Sequence, residues 1–355
     1  MEGDEKLIAG LQSYLSSQIG VPVVVTGVGR PEATGFSAET MIVSVGAASL
    51  PERLVVQAAP QGPALFAHYD LSRTFRTQRV LGSYDVPVAP MRWLCLDESW
   101  IGAPFYVMDH VIGRVSPDRP PYHGGGWLFD EPVEVRHEIW FSGIEAMAAL
   151  HRVPVDDFVF LAEGDQTDAG AQRLDRWRTF GLELGDDRSV AVLDALDELG
   201  ANRPTPGDLR VHWGDAKLGN MVFAGNQVAA ILDWELCGLS VGEEDLAHWM
   251  AVDWFLSTGL GGPRLEGLPG PDETIARYEA VVGRAALGVD WWFAFALLRM
   301  GLIFQRAAVQ ARLRKGGSGP LRANLIEPRV DGLVDGSIWA RYRASAPTVR
   351  RGADG

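Results

Sequence analysis

The chain has 355 residues, enough for two domains of ordinary size, with the 47% apolar and 22% charged content of a soluble globular protein. Its net charge of −14 argues against nucleic acid as a partner, because a phosphate backbone requires a basic patch. An acidic surface of this kind attracts a cationic substrate or serves solubility alone.

The opening stretch, MEGDEKLIAGLQSYL, is acidic and amphipathic and lacks a basic segment ahead of an apolar run, so no signal peptide is expected. Leu7, Ile8, Leu11, Leu15 and Ile19 recur at helical spacing and predict a surface helix over 5–19. Residues 21–28 and 41–45 read as strands around the turn TGFSAET at 34–40, and 53–58 (RLVVQA) as a third strand. A helix is expected over 71–81, followed by strand-like runs at 86–95 and 104–111. Cys95 and Cys237 lie far apart in apolar surroundings without metal spacing, and read as reduced core residues of a cytoplasmic protein.

The Pro- and Gly-rich stretch 116–132 (SPDRPPYHGGGWLFDEP) is a loop. It is either a lid carrying Tyr122, His123 and Trp127 or a plain insertion. A long helix over 133–150 leads to His151, read as capping or packing rather than catalytic, and shorter helices follow over 174–184 and 189–199.

The stretch 211–235, VHWGDAKLGNMVFAGNQVAAILDWE, is the chemical centre of the sequence. Two short apolar runs flank Ala-Gly-Asn-Gln, a hairpin signal. Asp215 and Asn220 precede the first run and Asp233 follows the second, so a hairpin brings all three to one small volume. Two carboxylates and an amide oxygen are hard ligands suited to Mg²⁺ and to steering a hydroxyl, the requirements of phosphoryl transfer. Beyond it, helices are expected over 272–282 and 291–315. The apolar stretch within the latter is broken by Arg299 and reads as too short to span a bilayer, so no membrane partner is expected. The tail from 345 is small, polar and expected to be disordered.

Asp215-x4-Asn220, with Gly214 before it and Asp233-Trp234-Glu235 beyond it, resembles the catalytic and metal-binding motifs of the aminoglycoside phosphotransferase and choline-kinase-like family. The likeness extends from about residue 35 to about residue 249 and is strongest toward the branch near the acyl-CoA-dehydrogenase-linked phosphotransferases. The resemblance implies an α+β, two-lobed protein-kinase-like fold. An N-lobe built on an antiparallel sheet would occupy 1–113, a mainly helical C-lobe 114–344 and a tail 345–355. It also implies ATP- or GTP-dependent phosphorylation of a small-molecule hydroxyl. Asp215 would be the base, Lys217 would face the moving phosphate, and Asn220 and Asp233 would hold Mg²⁺. Gly35 and Ser37 would belong to the loop over the nucleotide, with Met108 and His110 in the segment beside the adenine. Asp245 would brace the loop carrying the base, and Glu235 would assist the metal or cap.

The chain departs from the family at Gln57, where a lysine or arginine normally binds phosphates, and at Thr74, aligned with that cation's acidic partner. The histidine that usually stands two residues before the base is replaced by Trp213, with His212 one place further off. Either Lys217, Arg73 and Arg76 share the phosphate charge, or the chain is a pseudokinase-type scaffold with weak or lost transfer. The aromatic C-terminal helices, poor in carboxylates, suit a partly apolar acceptor better than a polycation.

Overall fold

The structure, a computed structural model, describes residues 2–30, 38–60, 65–66, 70–164, 168–205, 207–314, 321 and 323–345. Gly35 and Ser37 lie outside these residues, as does the tail from 346 onward. Helix α1 (Glu2–Ile19) leads into strands β1 (Val24–Gly29), β2 (Glu39–Gly46) and β3 (Arg53–Ala58). After α2 (Leu71–Leu81), β4 (Met91–Cys95) and β5 (Phe105–Asp109) complete an antiparallel sheet of order β1-β2-β3-β5-β4. The strand expected over 86–95 begins only at Met91, because Pro87 and Pro90 have no N–H to give to a ladder.

Period-two alternation divides this sheet between two helices. Leu54, Val56 and Ala58 of β3, with Phe105 and Val107 of β5, pack with Leu11 and Leu15 of α1. Val55, Tyr106 and Met108 point the other way, onto Leu71 and Phe75 of α2. Gln57, paired in register with Tyr106, therefore stands on the α2 face.

The remaining elements form a larger, mainly helical half around a second core. They begin with β6 (Arg114–Val115), α3 (Trp127–Asp130), α4 (Val133–Leu150), α5 (Ala169–Leu182) and α6 (Val190–Gly200). Next come β7 (Arg210–His212), β8 (Met221–Ala224), β9 (Gln227–Ile231), β10 (Gly238–Ser240) and α7 (Gly242–Leu256). The chain closes with α8 (Pro271–Val282), α9 (Val289–Arg314), α10 (Val330–Val334) and α11 (Ser337–Ser345). Side chains of Asp168 and Ser189 cap α5 and α6 by accepting the N–H groups of Ala171 and Val192. Two small sheets, β6-β8-β9 and β7-β10, carry the segment singled out above.

Two expectations are corrected here. α7 has no amphipathic signal and was not expected: it is buried on all sides against α9, β7, α4 and α8, so no polar stripe marks it. α9 runs for 26 residues, long and apolar enough by length and composition to cross a membrane. Most of its apolar stretch is buried against the rest of the protein, and Arg299 at its middle is buried too, as in the core helix of a globular domain.

Candidate active site

The β8–β9 hairpin turns at Gly225 and Asn226, with Gly225 at φ +61° in the first central position, as a two-residue turn requires. The Leu232 N–H donates to the Asn220 carbonyl at 2.8 Å, so the ladder continues to the hairpin's open end. The next residue is Asp233, whose φ of +58° makes it the non-glycine residue in the left-handed region among those described. Aspartate tolerates that region better than most side chains, and such strain clusters at functional sites. The carboxylate of Asp233 receives the Glu235 N–H, which assigns the backbone of Glu235 a local role.

On the other side of the hairpin, Asp215 is held at both oxygens. Oδ2 accepts from Asn220 Nδ2 at 2.7 Å, and Oδ1 lies 3.0 Å from His248 Nε2 on α7. Because an ionised carboxylate only accepts, that imidazole nitrogen carries the proton. Lys217 Nζ stands 3.7 Å from Asp215 Oδ2 and 2.8 Å from Asp118 Oδ2, an aspartate of the Pro- and Gly-rich loop. Sequence reasoning missed His248 and Asp118. The first lies three residues after Asp245, on the same helix face, which is a usable signal. The second comes from a loop with no local pattern.

The charges in this volume are uneven. Burial would raise Asp215, but the Lys217 ammonium and the His248 hydrogen bond reverse this and hold its carboxyl far below the usual range. Burial would lower Lys217, yet Asp215 and Asp118 push it above its ordinary value. Asp233 moves the other way: burial, then the negative charge of Asp215, raise it to about 6. A buried carboxylate facing a second one is short of positive charge. Asn220 spends its amide N–H groups on the Asp215 carbonyl and carboxylate, leaving the amide oxygen as its acceptor end. A carboxylate and an amide oxygen beside that charge deficit fit a hard divalent cation that keeps other oxygens from water or phosphate.

The loop carrying Asp215 is held from behind. Gly214 has φ +99°, and a Cβ there would meet the Leu236 carbonyl oxygen at 2.4 Å, so only glycine fits. Asp245 on α7 accepts the Trp213 and Gly214 N–H groups at 2.7 and 2.9 Å. His151 Nε2 lies 3.0 Å from the same carboxylate, which gives His151 the packing role read from sequence, and His212 Nε2 lies 3.2 Å away. Arg299 of α9 donates to the Gly214 carbonyl at 2.7 Å and pairs with Glu244, which also takes Arg173. Burial pushes Asp245 up, but His212 and His151 more than compensate and bring it to about 2.

A second buried knot fixes the Pro- and Gly-rich loop. Asp253 takes Tyr122 OH at 3.1 Å, Arg264 Nε at 2.6 Å and Tyr342 OH at 2.6 Å, with His123 Nε2 at 3.3 Å. Trp127 donates to the Val115 carbonyl. These three aromatic residues are therefore packed into the large half rather than carried on a free lid. Against the burial that would raise it, Arg264 above all holds Asp253 well below the usual range.

Asp245 and Asp253 both titrate lower when folded, so their contribution to stability is complete above the unfolded carboxylate value of about 3.9 and is lost as pH falls below it. For Asp245 the loss is spread down through about 2. The urea midpoint is expected to fall steeply across that acid window. A flat acid limb would contradict these assignments.

The face toward the N-terminal sheet differs from the expectation. Gln57 accepts from the Tyr106 hydroxyl and donates to Thr40 Oγ1 at 3.4 Å, while Gln78 of α2 reaches the same tyrosine at 3.5 Å. The link to α2 thus runs through Gln78, one turn beyond Thr74, because Tyr106 projects between sheet and helix. Arg73 is tied to Glu163 and to the Leu161 and Cys237 carbonyls, and Arg76 lies over the Phe160 ring at 3.9 Å. Both guanidinium groups are thus engaged by partners of the protein's own. Met108 is buried among Val55, Leu71 and Phe75, and the half-buried His110 gives its N–H to the Arg53 carbonyl at 3.4 Å.

The sequence pattern of the phosphotransferase enzyme family (APH) matches residues 29–280. The chain is 28% identical over 349 residues to a probable acyl-CoA dehydrogenase, IBR3, of Arabidopsis thaliana, covering 89% of this chain and 41% of the relative. It thus spans about two fifths of that relative's length. The fold is similar to a crystal structure described as a candidate aminoglycoside phosphotransferase of Ralstonia eutropha, with TM-score 0.66 and 23% identity over 95% of this chain and 98% of that one. It is also similar to a thermostable mutant of aminoglycoside phosphotransferase APH(4)-Ia in ternary complex with ADP and hygromycin B. That match has TM-score 0.55 and 13% identity over 92% and 98% of the two chains.

Proposed function

The chain belongs to the phosphotransferase enzyme family, and from that premise we propose that it transfers the γ-phosphoryl group of ATP to a hydroxyl of a small molecule. The observation that carries this reading is the enclosure of Asp215, Asn220 and Lys217 at the open end of the β8–β9 hairpin beside Asp233. Asp215 orients the acceptor hydroxyl and takes its proton, while the hydroxyl oxygen's electron pair forms the new bond to phosphorus. The bond from phosphorus to the bridging oxygen breaks, and its electron pair leaves on ADP. A carboxylate held so far down in pKa positions more than it abstracts, consistent with a loose transition state in which the proton moves late. Lys217 offsets charge on the moving phosphate once Asp118 yields its ammonium. Asn220 and Asp233 are the residues that would hold Mg²⁺, which neutralises phosphate charge when bound.

The ADP complex of the related fold favours an adenine nucleotide over GTP. The acceptor is read as a partly apolar alcohol. The carboxylates of α7 that a polycation would seek are already spent: Glu243 on Arg284, Glu244 on Arg173 and Asp253 on Arg264.

The Gln57–Tyr106–Gln78 chain, neutral throughout, favours the second reading, a pseudokinase-type nucleotide-binding or scaffold protein with weak or lost transfer. A missing charge-stabilising donor costs about 3–4 kcal/mol in such sites, a small part of a kinase's total acceleration. Thermal unfolding with ATP, with and without Mg²⁺, separates the two readings. The enzyme is expected to be stabilised by about 2.7 kcal/mol at a hundredfold excess over Kd, only with the metal present. A screen of hydroxyl metabolites, read by product mass, then identifies the acceptor. No shift with any nucleotide and no product supports the scaffold.

A further inference from the structure

α7 grips the base at two levels. Asp245 in its first turn holds the backbone N–H groups of Trp213 and Gly214, immediately before Asp215. His248, three residues on and on the same face, reaches the Asp215 side chain itself, with Nε2 3.0 Å from Oδ1. Asn220 holds the other oxygen at 2.7 Å, but it belongs to the same loop as Asp215 and would move with it. His248 is the donor to that carboxylate that comes from a helix buried in the large core.

We propose that His248 is a positioning residue for phosphoryl transfer: its Nε2–H fixes the rotation of the Asp215 carboxylate, so that the oxygen edge left free faces the acceptor hydroxyl. This inference rests on the reading of Asp215 as the base. A carboxylate offers about four lone-pair directions, and donors at both oxygens leave a defined remainder for the substrate. With only Asn220 in place, the group can turn about its Cβ–Cγ bond. Catalytic groups work within about 0.5 Å and 10–20° of their productive geometry. The imidazole is neutral in this setting: burial and then Arg299 draw it down to about 4, against the opposing pull of Asp215. Its Nδ1 has no hydrogen-bond partner among the described residues, so the ring is committed to one contact, the one with Asp215.

The test compares His248→Leu, which keeps bulk and removes the donor, with His248→Gln, whose amide N–H can stand near the position of Nε2. Steady-state consumption of Mg·ATP, with water as acceptor, gives kcat and KM, and thermal unfolding gives Tm. His248→Leu is expected to lower kcat by about 10²-fold with KM for Mg·ATP unchanged, the loss typical of a misplaced reacting group. His248→Gln is expected to recover most of it at a Tm matching that of His248→Leu. If His248→Leu turns over as fast as the parent, or if the glutamine variant is no better than leucine at equal Tm, the positioning role is wrong while the kinase reading stands. If the parent consumes no nucleotide with water and forms no product with any alcohol of the acceptor screen, the underlying reading falls and this inference with it.

Discussion

Asp215→Asn is expected to reduce phosphoryl transfer by about 10²–10⁴-fold, the range contributed by a positioned acid or base, while Mg·ATP affinity stays close to that of the parent. The substitution keeps volume and one acceptor oxygen, so the loop stays in place. It removes the charge that both orients the acceptor hydroxyl and receives its proton. It also gives the His248 or Asn220 donor an N–H where an oxygen stood, so one of the two contacts at 3.0 and 2.7 Å is lost. Single-turnover rates alongside calorimetric nucleotide titration separate the chemical step from binding. A variant that transfers at the full rate would remove Asp215 from the role of base.

Asp245→Ala carries the largest expected effect on stability. The Asp245 carboxylate is fully buried and serves three hydrogen-bond partners, the N–H groups of Trp213 and Gly214 and the imidazole of His151, with His212 Nε2 3.2 Å away. Its removal leaves two backbone donors without acceptors, inside a core that also encloses the Arg299–Glu244 pair. Breaking a buried charged network on one side costs about 3–5 kcal/mol, and chemical denaturation should show a loss of that size. Activity should fall further than stability alone explains, because Gly214 adjoins the base. An unfolding midpoint equal to the parent's would show that the loop is held by other contacts.

In both halves, the elements with local signals were legible. The strand over 53–58 and the helices over 71–81 and 133–150 coincide with the observed elements, since apolar alternation, helical spacing and caps all lie within each segment. The hairpin was legible for the same reason: turn residues between two apolar runs fix the register, and register brings Asn220 to Leu232. α7 was not legible. Its Glu243-Glu244-Asp245 run carries no apolar stripe, yet all three side chains are buried, Glu243 and Glu244 against arginines of α5, α9 and the loop after α8, and Asp245 against His151 and the backbone before the base. Those partners lie 31–94 residues away in sequence, and no local pattern encodes them. The same blindness hid His248, and it set the link to α2 at Thr74 rather than Gln78. Arg73 and Arg76 looked available as phosphate cations because sequence does not reveal that Glu163 and Phe160 claim them.

The left-handed backbone at Asp233 limits which substitutions can be interpreted. Alanine there would impose torsional strain as well as deleting an oxygen donor, so a dead alanine variant would not distinguish a lost metal ligand from a misfolded hairpin exit. Asparagine accepts the same torsion with far less penalty, removing the charge and one oxygen while keeping the shape. Metal dependence at this position is therefore best judged from Asp233→Asn, with glycine as the control that relaxes the backbone and removes the side chain together.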